Sequence, residues 1–268
     1  MSYIVNAGRS MLELLLLIVV GLVPVVSGLL VMILQLQTKL AENAAVSVKE
    51  AVYSVDQAFN RMQETALRSL PLAGQPCASA LNTLQDHVTS LSMLRSLTLV
   101  EDEQAYCSTT PDPLEDLTAF ATSGRQVEIS YGLADTRRKL LVNLYTADNN
   151  QGVIVTAYAS QLRSELDAFQ DGLTLLLEFD DRYLWSGGDS RAGARPPQDE
   201  FSTSMLSQKY GYRVVGGYAE GFTAREIRQS MRQTLPSLLL VGVLTASVVF
   251  LALMKGRANR RSRAAEGT

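Results

Sequence analysis

Leu14–Leu34 reads LLLLIVVGLVPVVSGLLVMIL, 21 residues without a charge. A helix of that length rises about 30 Å, the hydrocarbon thickness of a bilayer. Pro24 falls in its middle, where a soluble helix would be broken and a membrane helix tolerates it. A cleavable secretion signal has a shorter apolar core, ~7–15 residues, and small residues at its cleavage site. This run is longer, and the QTKLAENAA that follows it (37–45) is a poor site, so the segment is expected to remain as an anchor. A second uncharged run, Leu235–Met254 (LPSLLLVGVLTASVVFLALM), has 20 residues and is apolar on every side, unlike the one-sided stripe of a soluble helix.

Positive charge near the spans sets their orientation. Lys255, Arg257, Arg260, Arg261 and Arg263 crowd the end of the second run, whereas the first ten residues hold only Arg9. Both termini are therefore expected in the cytoplasm. The chain divides into a cytoplasmic stretch (1–13), a span (14–34), an extracytoplasmic domain (35–234), a second span (235–254) and a basic tail (255–268). The net charge of −3 conceals an asymmetry: residues 35–234 hold 18 Lys/Arg against 25 Asp/Glu, a balance of −7. An acidic outer domain argues against nucleic acid as a partner. The basic tail suits the cytoplasmic leaflet and its anionic lipids.

From Gln35 to Leu70 the pattern predicts a helix continuing out of the first span. Val48, Val52, Val55, Phe59, Met62 and Ala66 are spaced alternately by 4 and 3, a seam for a second helix, a second subunit or the rest of the domain. With Gly242 and Ala246 at small-xxx-small spacing, it suggests a homodimer through the outgoing helices and spans. A helix is predicted over 78–92, with Pro76 in its first turn, then a hairpin of SLTLV (96–100) and QAYCSTT (104–110) turning at EDE. A short helix from Leu114 closes at Gly124. Strands are predicted in RQVEISYGLA (125–134), RRKLLVNLYTA (137–147), GVIVTAYAS (152–160), GLTLLLEFD (172–180), RYLWSG (182–187) and KYGYRVVGGY (209–218), with a turn at DNNQG and a helix over 160–169. GGDSRAGARPPQDE (187–200) reads as a flexible loop, and Thr223 with Glu226 as a capping box for the last helix. The expected class is α+β, a PAS-like or Cache-like extracytoplasmic sensor domain between two transmembrane helices, by analogy of layout.

The two cysteines, Cys77 and Cys107, both fall outside the cytoplasm, where a thiol pair is readily oxidised. Two readings stay open. One is a permanent structural disulfide, closing about 30 residues and stabilising the fold by roughly 3–4 kcal/mol. The other is a reversible latch, in which Cys77 at a helix N-terminus has an activated thiol. His87, the one histidine, lacks companions at ligand spacing and reads as a solvated polar residue. The sequence contains no G-x-S-x-G, P-loop, HExxH, CxxC or GxGxxG preceding a helix, so neither enzyme chemistry nor a cofactor is expected. Asp180-Asp181 in DDRY reads as a solvated turn, Gly216-Gly217 as a bulge, and Tyr183 with Trp185 as core rather than a ligand cup.

A membrane helix, a Cys about thirty residues before a second, and Cys107-Ser108-Thr109 within AYCSTT resemble the CSS-motif sensor domain that precedes EAL phosphodiesterases of cyclic di-GMP. The likeness runs over roughly 10–260. Thr109 stands where the family's motif has a second serine, and it retains the hydroxyl. The resemblance implies that Cys77 and Cys107 form a disulfide reporting envelope oxidation, with reduction switching on the cytoplasmic output. It implies periplasmic thiol oxidoreductases as partners. Ser108 and Thr109 are expected to bond nearby backbone and hold the strand end. Fourteen residues follow Met254, without an E-A-L or E-x-L-x-R signature, so the output is expected from a partner EAL or GGDEF protein. Two alternatives accompany this reading: a Cache-like small-molecule receptor with a structural disulfide, or the sensory piece of a longer phosphodiesterase.

Overall fold

The computed structural model describes residues 2–111, 113–131, 140–192 and 194–266, with side chains described between 14 and 256 apart from Ala192. Residues 132–139, which include the expected strand ends 132–134 and 137–139, and the side chains of Arg9, Arg257, Arg260, Arg261 and Arg263 lie outside that description. In chain order the elements are α1 (Ser2–Ser69), α2 (Cys77–Thr89), β1 (Leu94–Glu101), β2 (Gln104–Ser108), α3 (Leu114–Thr122), β3 (Val127–Tyr131), β4 (Leu140–Asp148), β5 (Gln151–Tyr158), α4 (Ala159–Asp167), β6 (Thr174–Phe179), β7 (Arg182–Trp185), β8 (Gly188–Asp189), β9 (Glu200–Leu206), β10 (Arg213–Tyr218) and α5 (Phe222–Glu266). The fold is α+β. It falls into two compact units, Met1–Leu40 with Gly221–Thr268, and Ala41–Glu220.

In the first unit, α1 and α5 each contain a segment long and apolar enough to cross a membrane. The two helices pack through small residues: a Cβ on Gly21 would lie 3.2 Å from the Gly242 carbonyl oxygen and 3.3 Å from Ala246 Cβ. The Gly242/Ala246 pair that suggested a second copy therefore faces the chain's own first span. Ser27 Oγ donates to the Pro24 carbonyl at 3.2 Å, next to the break that proline makes in the helical ladder. At the start of α5, Thr223 is the second helical residue and not the N-cap of the expected box.

The second unit holds two antiparallel five-stranded sheets, ordered β2-β1-β5-β4-β3 and β8-β7-β6-β10-β9. The two hairpin turns of the first sheet that lie among the described residues have the backbone such turns demand. Glu101 pairs with Gln104, leaving Asp102 and Glu103 in the turn at φ 48° and 62°. Asp148 pairs with Gln151, with Asn149 at φ 54°. Positive φ at the centre of two-residue turns matches the right-handed strand twist. The two turns join, Asp102 N–H donating to the Asn150 carbonyl at 2.9 Å.

The 4-3 stripe on α1 is buried inside this unit: Val48, Val52, Val55, Phe59, Met62 and Ala66 are all 0–7% exposed. Phe59 packs among Phe179, Tyr210 and Tyr212, with ring centroids 6.3, 5.1 and 5.5 Å away. Gly216 on β10 lets the helix come close, since a Cβ there would lie 2.5 Å from Val48 Cγ2. The seam is thus filled by the second sheet, not by another subunit.

Two parts of the chain differ from expectation. FSTSML, not expected to be a strand, forms most of the edge strand β9, paired to β10 with a register shift between Gly216 and Tyr218. That shift is the bulge expected at Gly216-Gly217. Phe201 in β9 has φ 50°, uncommon for a bulky residue, and its ring meets Tyr218 edge-on at 6.4 Å. The expected flexible loop contains β8 and a 3-10 turn (Ser190–Ala192) before reaching β9.

Candidate functional site

The two cysteines are joined. Cys77 opens α2, Cys107 lies near the end of β2, and their Cα atoms are 5.3 Å apart across a disulfide that closes 30 residues. Pro76 precedes the helix at its N-cap, where the missing N–H costs nothing. Alternation along β2 turns Cys107 toward α2, where it is 1% exposed; Cys77 is half-buried. The apolar face of α2, Ala80 and Leu84, is fully buried, so the helix is docked by packing as well as by the bond.

Ser108 and Thr109 hold the end of β2 to β1. Thr98 Oγ1 donates to Ser108 Oγ at 2.9 Å. Thr109 makes a reciprocal pair with Leu97: its N–H donates to the Leu97 carbonyl at 3.0 Å, and its Oγ1 accepts from Leu97 N–H at 3.1 Å. The threonine's hydroxyl thus closes a backbone pair at the strand end. Cys77, Cys107, Ser108 and Thr109, all singled out in the sequence, thus form one junction.

Tyr106, which the sequence did not single out, completes it. Its hydroxyl accepts from Gly74 N–H at 2.9 Å and donates to the Gln75 carbonyl at 3.1 Å, clasping the turn between α1 and α2. Burial, with a small contribution from the nearby Glu101 charge, raises its pKa against the opposing Gly74 bond, so the donor stays protonated. His87 is not merely solvated: its Nδ1 lies 2.8 Å from Ser69 Oγ, linking α2 to the last residue of α1. The Ser69–His87 bond thus holds the last turns of α2 to the end of α1, while the disulfide and the Tyr106 clasp hold the first turn of α2 and the segment before it to β2.

Two further polar clusters escaped the sequence reading. Asp189, within the expected loop, accepts from Arg163 on α4 at 2.8 Å and from Arg191 through Nε and Nη2, both at 2.8 Å. The Arg191 hydrogen bonds hold its carboxyl down at about 2, against the desolvation that would raise it. On the second sheet, Tyr212 donates to Asp56 Oδ1 at 2.6 Å, and Ser207 Oγ donates to the same oxygen at 2.8 Å. Tyr210 donates to Asn60 Oδ1 at 2.7 Å, and burial followed by the Asp56 charge pushes its hydroxyl up to about 12. Burial pushes Tyr212 higher still. These bonds fasten α1 to the strand-end tyrosines. A polar tyrosine in KYGYRVV carries no signal that its partner sits some 150 residues earlier, as the Tyr210–Asn60 separation of 150 illustrates.

Asp180, in the expected solvated turn, has φ 49° between β6 and β7 and meets Arg125 at 3.5 Å on the surface. Tyr183 and Trp185 stack at 5.9 Å, both half-buried. Among the described residues, no group of three or more His, Cys, Asp or Glu is placed to hold a metal ion.

Among known proteins, the profile of the CSS motif domain associated with EAL matches residues 40–231. A crystal structure of the extracellular domain of a histidine kinase, rpHK1S-Z16, aligns with 69% of this chain and 95% of its own at 14% identity and a TM-score of 0.43, too slight a likeness to assign a fold type. No curated protein matches the chain. With its match spanning the disulfide, the hydroxyl-bearing strand end and both sheets, the chain belongs to the CSS-motif family.

Proposed function

We propose that this chain is the periplasmic redox-sensing module of a cyclic di-GMP signalling system, anchored by two spans with both termini in the cytoplasm, and that the Cys77–Cys107 bond is its switch. The observation that carries the reading is the position of the bond, at the junction of α2, β2 and the turn leaving α1. A structural disulfide could lie anywhere in the domain. This one restrains the segment next to the helix that leads to the membrane.

Exchange has a direction. Cys107 is buried and Cys77 is half-exposed, so an incoming thiolate of a periplasmic oxidoreductase attacks the Cys77 sulfur. A mixed disulfide forms on Cys77 and Cys107 leaves as a thiolate, which takes up a proton. The second thiol of the oxidoreductase then attacks the mixed disulfide and frees Cys77. Two electrons have passed, leaving the oxidoreductase disulfide-bonded and both chain cysteines as thiols. The PAS-like or Cache-like type is proposed on the same footing, supported by five-stranded antiparallel sheets flanked by helices.

The output is a cytoplasmic EAL or GGDEF protein, or an EAL domain of the same polypeptide. A homodimer would use the outer face of α1, where Val46, Tyr53 and Leu67 are 50%, 63% and 52% exposed at multiples of seven residues. The test is cyclic di-GMP turnover in cells carrying an EAL domain fused after Met254. Cys107→Ala should raise turnover under oxidising conditions to the level of the reduced native protein, at equal protein abundance. Turnover unchanged by the substitution and by reductant would refute the switch.

A further inference from the structure

A second site lies on the other face of the first sheet. Strand register sets four polar residues in one row, one on each of four adjacent strands: Ser96 opposite Thr156, Thr156 opposite Asn143, Asn143 opposite Glu128. Directly opposed residues share a face. Ser96, Thr156 and Asn143 are 1–3% exposed. Thr156 Oγ1 donates to Asn143 Oδ1 at 2.9 Å, and Asn143 Nδ2 donates to Ser130 Oγ at 2.9 Å. Ser96 Oγ, at the end of the row, is buried without a partner in the protein.

The same face has an apolar half a few residues along. There Val100 and Ile154 pack under Leu117, Phe120 and Ala121 of α3, as sheet faces ordinarily do. Over the polar half stands a cavity of about 350 Å³, reached by Thr156, Asn143, Ser130 and Glu128 from the sheet and by Asp116 and Phe120 from α3. That is within the ~300–1,000 Å³ range of small-molecule sites. Each buried hydroxyl or amide costs free energy unless it is bonded, and a row of Val and Leu would close the sheet more stably. Packing therefore gives no reason for the row.

The rim is cationic. Arg95, Arg125 and Arg182 line the cavity against the carboxylates of Asp116 and Glu128. Arg125 and Arg182 both approach Glu128, each at 3.6 Å, and Arg125 also meets Asp180 at 3.5 Å, so the two guanidinium groups face two carboxylates in pairs none of which is shorter than 3.5 Å. Arg182 also donates to the Ile129 carbonyl and lies 5.3 Å from the Tyr131 ring centroid. Guanidinium groups pair best with planar carboxylates.

We infer that this cavity binds a small organic carboxylate carrying further hydroxyl, amino or carboxyl groups, with its anion at Arg125 and Arg182 and its polar body on the Asn143–Thr156 floor. The site lies on the sheet face opposite the disulfide and does not depend on the redox reading.

The test uses the full chain in detergent, with its disulfide intact, and succinate, malate, citrate and glutamate as probes beside the uncharged succinamide and glycerol. At least one carboxylate should raise the unfolding temperature, by roughly 5–10 °C at a hundredfold excess over Kd, and give a saturable calorimetric isotherm. The uncharged probes should do neither. Arg125→Gln, at a half-exposed position, should weaken that binding at least tenfold while its ligand-free unfolding temperature stays near that of the native chain. Asn143→Leu with Thr156→Val should abolish binding and leave the ligand-free protein equally or more stable. The inference is overturned if none of the four carboxylates binds, if the uncharged probes bind equally well, or if Arg125→Gln binds as the native chain does.

Discussion

Replacing both Cys77 and Cys107 by alanine removes a cross-link over 30 residues. The chain-entropy relation gives a denatured state released by about 12 cal/mol/K, or about 3.6 kcal/mol at 25 °C. Cys107 is buried, and trimming its sulfur leaves a small void costing about 1 kcal/mol. For a domain of this size each kcal/mol lowers the unfolding temperature by roughly 2–4 °C, so the double variant should unfold roughly 10–15 °C lower. Circular dichroism of the full chain in detergent, native and double variant in parallel, measures this. The entropic effect acts on the unfolded chain and does not by itself move the folded one. The proposed switch would need a local opening, the undocking of α2, which the closed loop forbids and the reduced chain permits. A restraint of this size biases such an opening by more than a hundredfold. Hydrogen exchange should therefore rise in 70–89 on reduction while β4 and β5 stay protected. A shift below about 3 °C would refute the stability reasoning. Loss of protection spread evenly over both sheets would refute local undocking.

Four further outcomes are expected. Asp189→Asn should destabilise the domain by about 2 kcal/mol at pH 6, because the folded carboxyl titrates about two units below its usual value. Its folded pKa is depressed, so its contribution is complete above pH ~4 and disappears as pH falls toward ~2; urea unfolding of native and variant chains should converge over that window. Gly216→Ala should cost about 1–3 kcal/mol, since its Cβ would press on Val48 and Leu175; a neutral effect in the same urea assay would contradict the close approach. A reporter active only in the periplasm, fused after Thr268, should be silent, and activity there would reverse the proposed orientation. Tyr53→Cys should cross-link between two copies in membranes while Val55→Cys, buried against the second sheet, should not; the opposite pattern would dismiss the outer face of α1 as the dimer contact.

What the sequence revealed was mostly local. The uncharged runs and the hairpin turns at EDE and DNNQG rest on neighbouring residues and stand where expected, and the helix expected over 78–92 forms one residue earlier and ends three residues sooner, as Cys77–Thr89. The stripe from Val48 to Ala66 was legible as a buried face. Periodicity says that a face is covered and not by what, and here the cover is a sheet formed more than a hundred residues later. FSTSML was missed because β9 lies at an edge and buries little, leaving no alternation to read. Asp189 was hidden in a stretch rich in Gly, Pro and Arg whose composition suggests a solvated loop; its order comes from an arginine on α4. Of the candidate junction, the cysteines and the two hydroxyls were readable. Tyr106 was not, because its partners are backbone groups some thirty residues away. The polar row beneath the cavity becomes visible only when four strands are placed in register.

The strand β9 leaves one edge of its sheet open in the folded domain. It is the outer strand of its sheet, it contains neither lysine nor proline, and Met205 and Leu206 are 40% and 44% exposed. Such an edge is a template for pairing with another extended chain. The left-handed backbone at Phe201 and the nearby bulge twist the first third of the edge out of register, so a straight incoming strand finds only a few residues to match. Phe201 therefore guards the open edge of the folded domain against edge-to-edge pairing through the shape of the backbone rather than through charge.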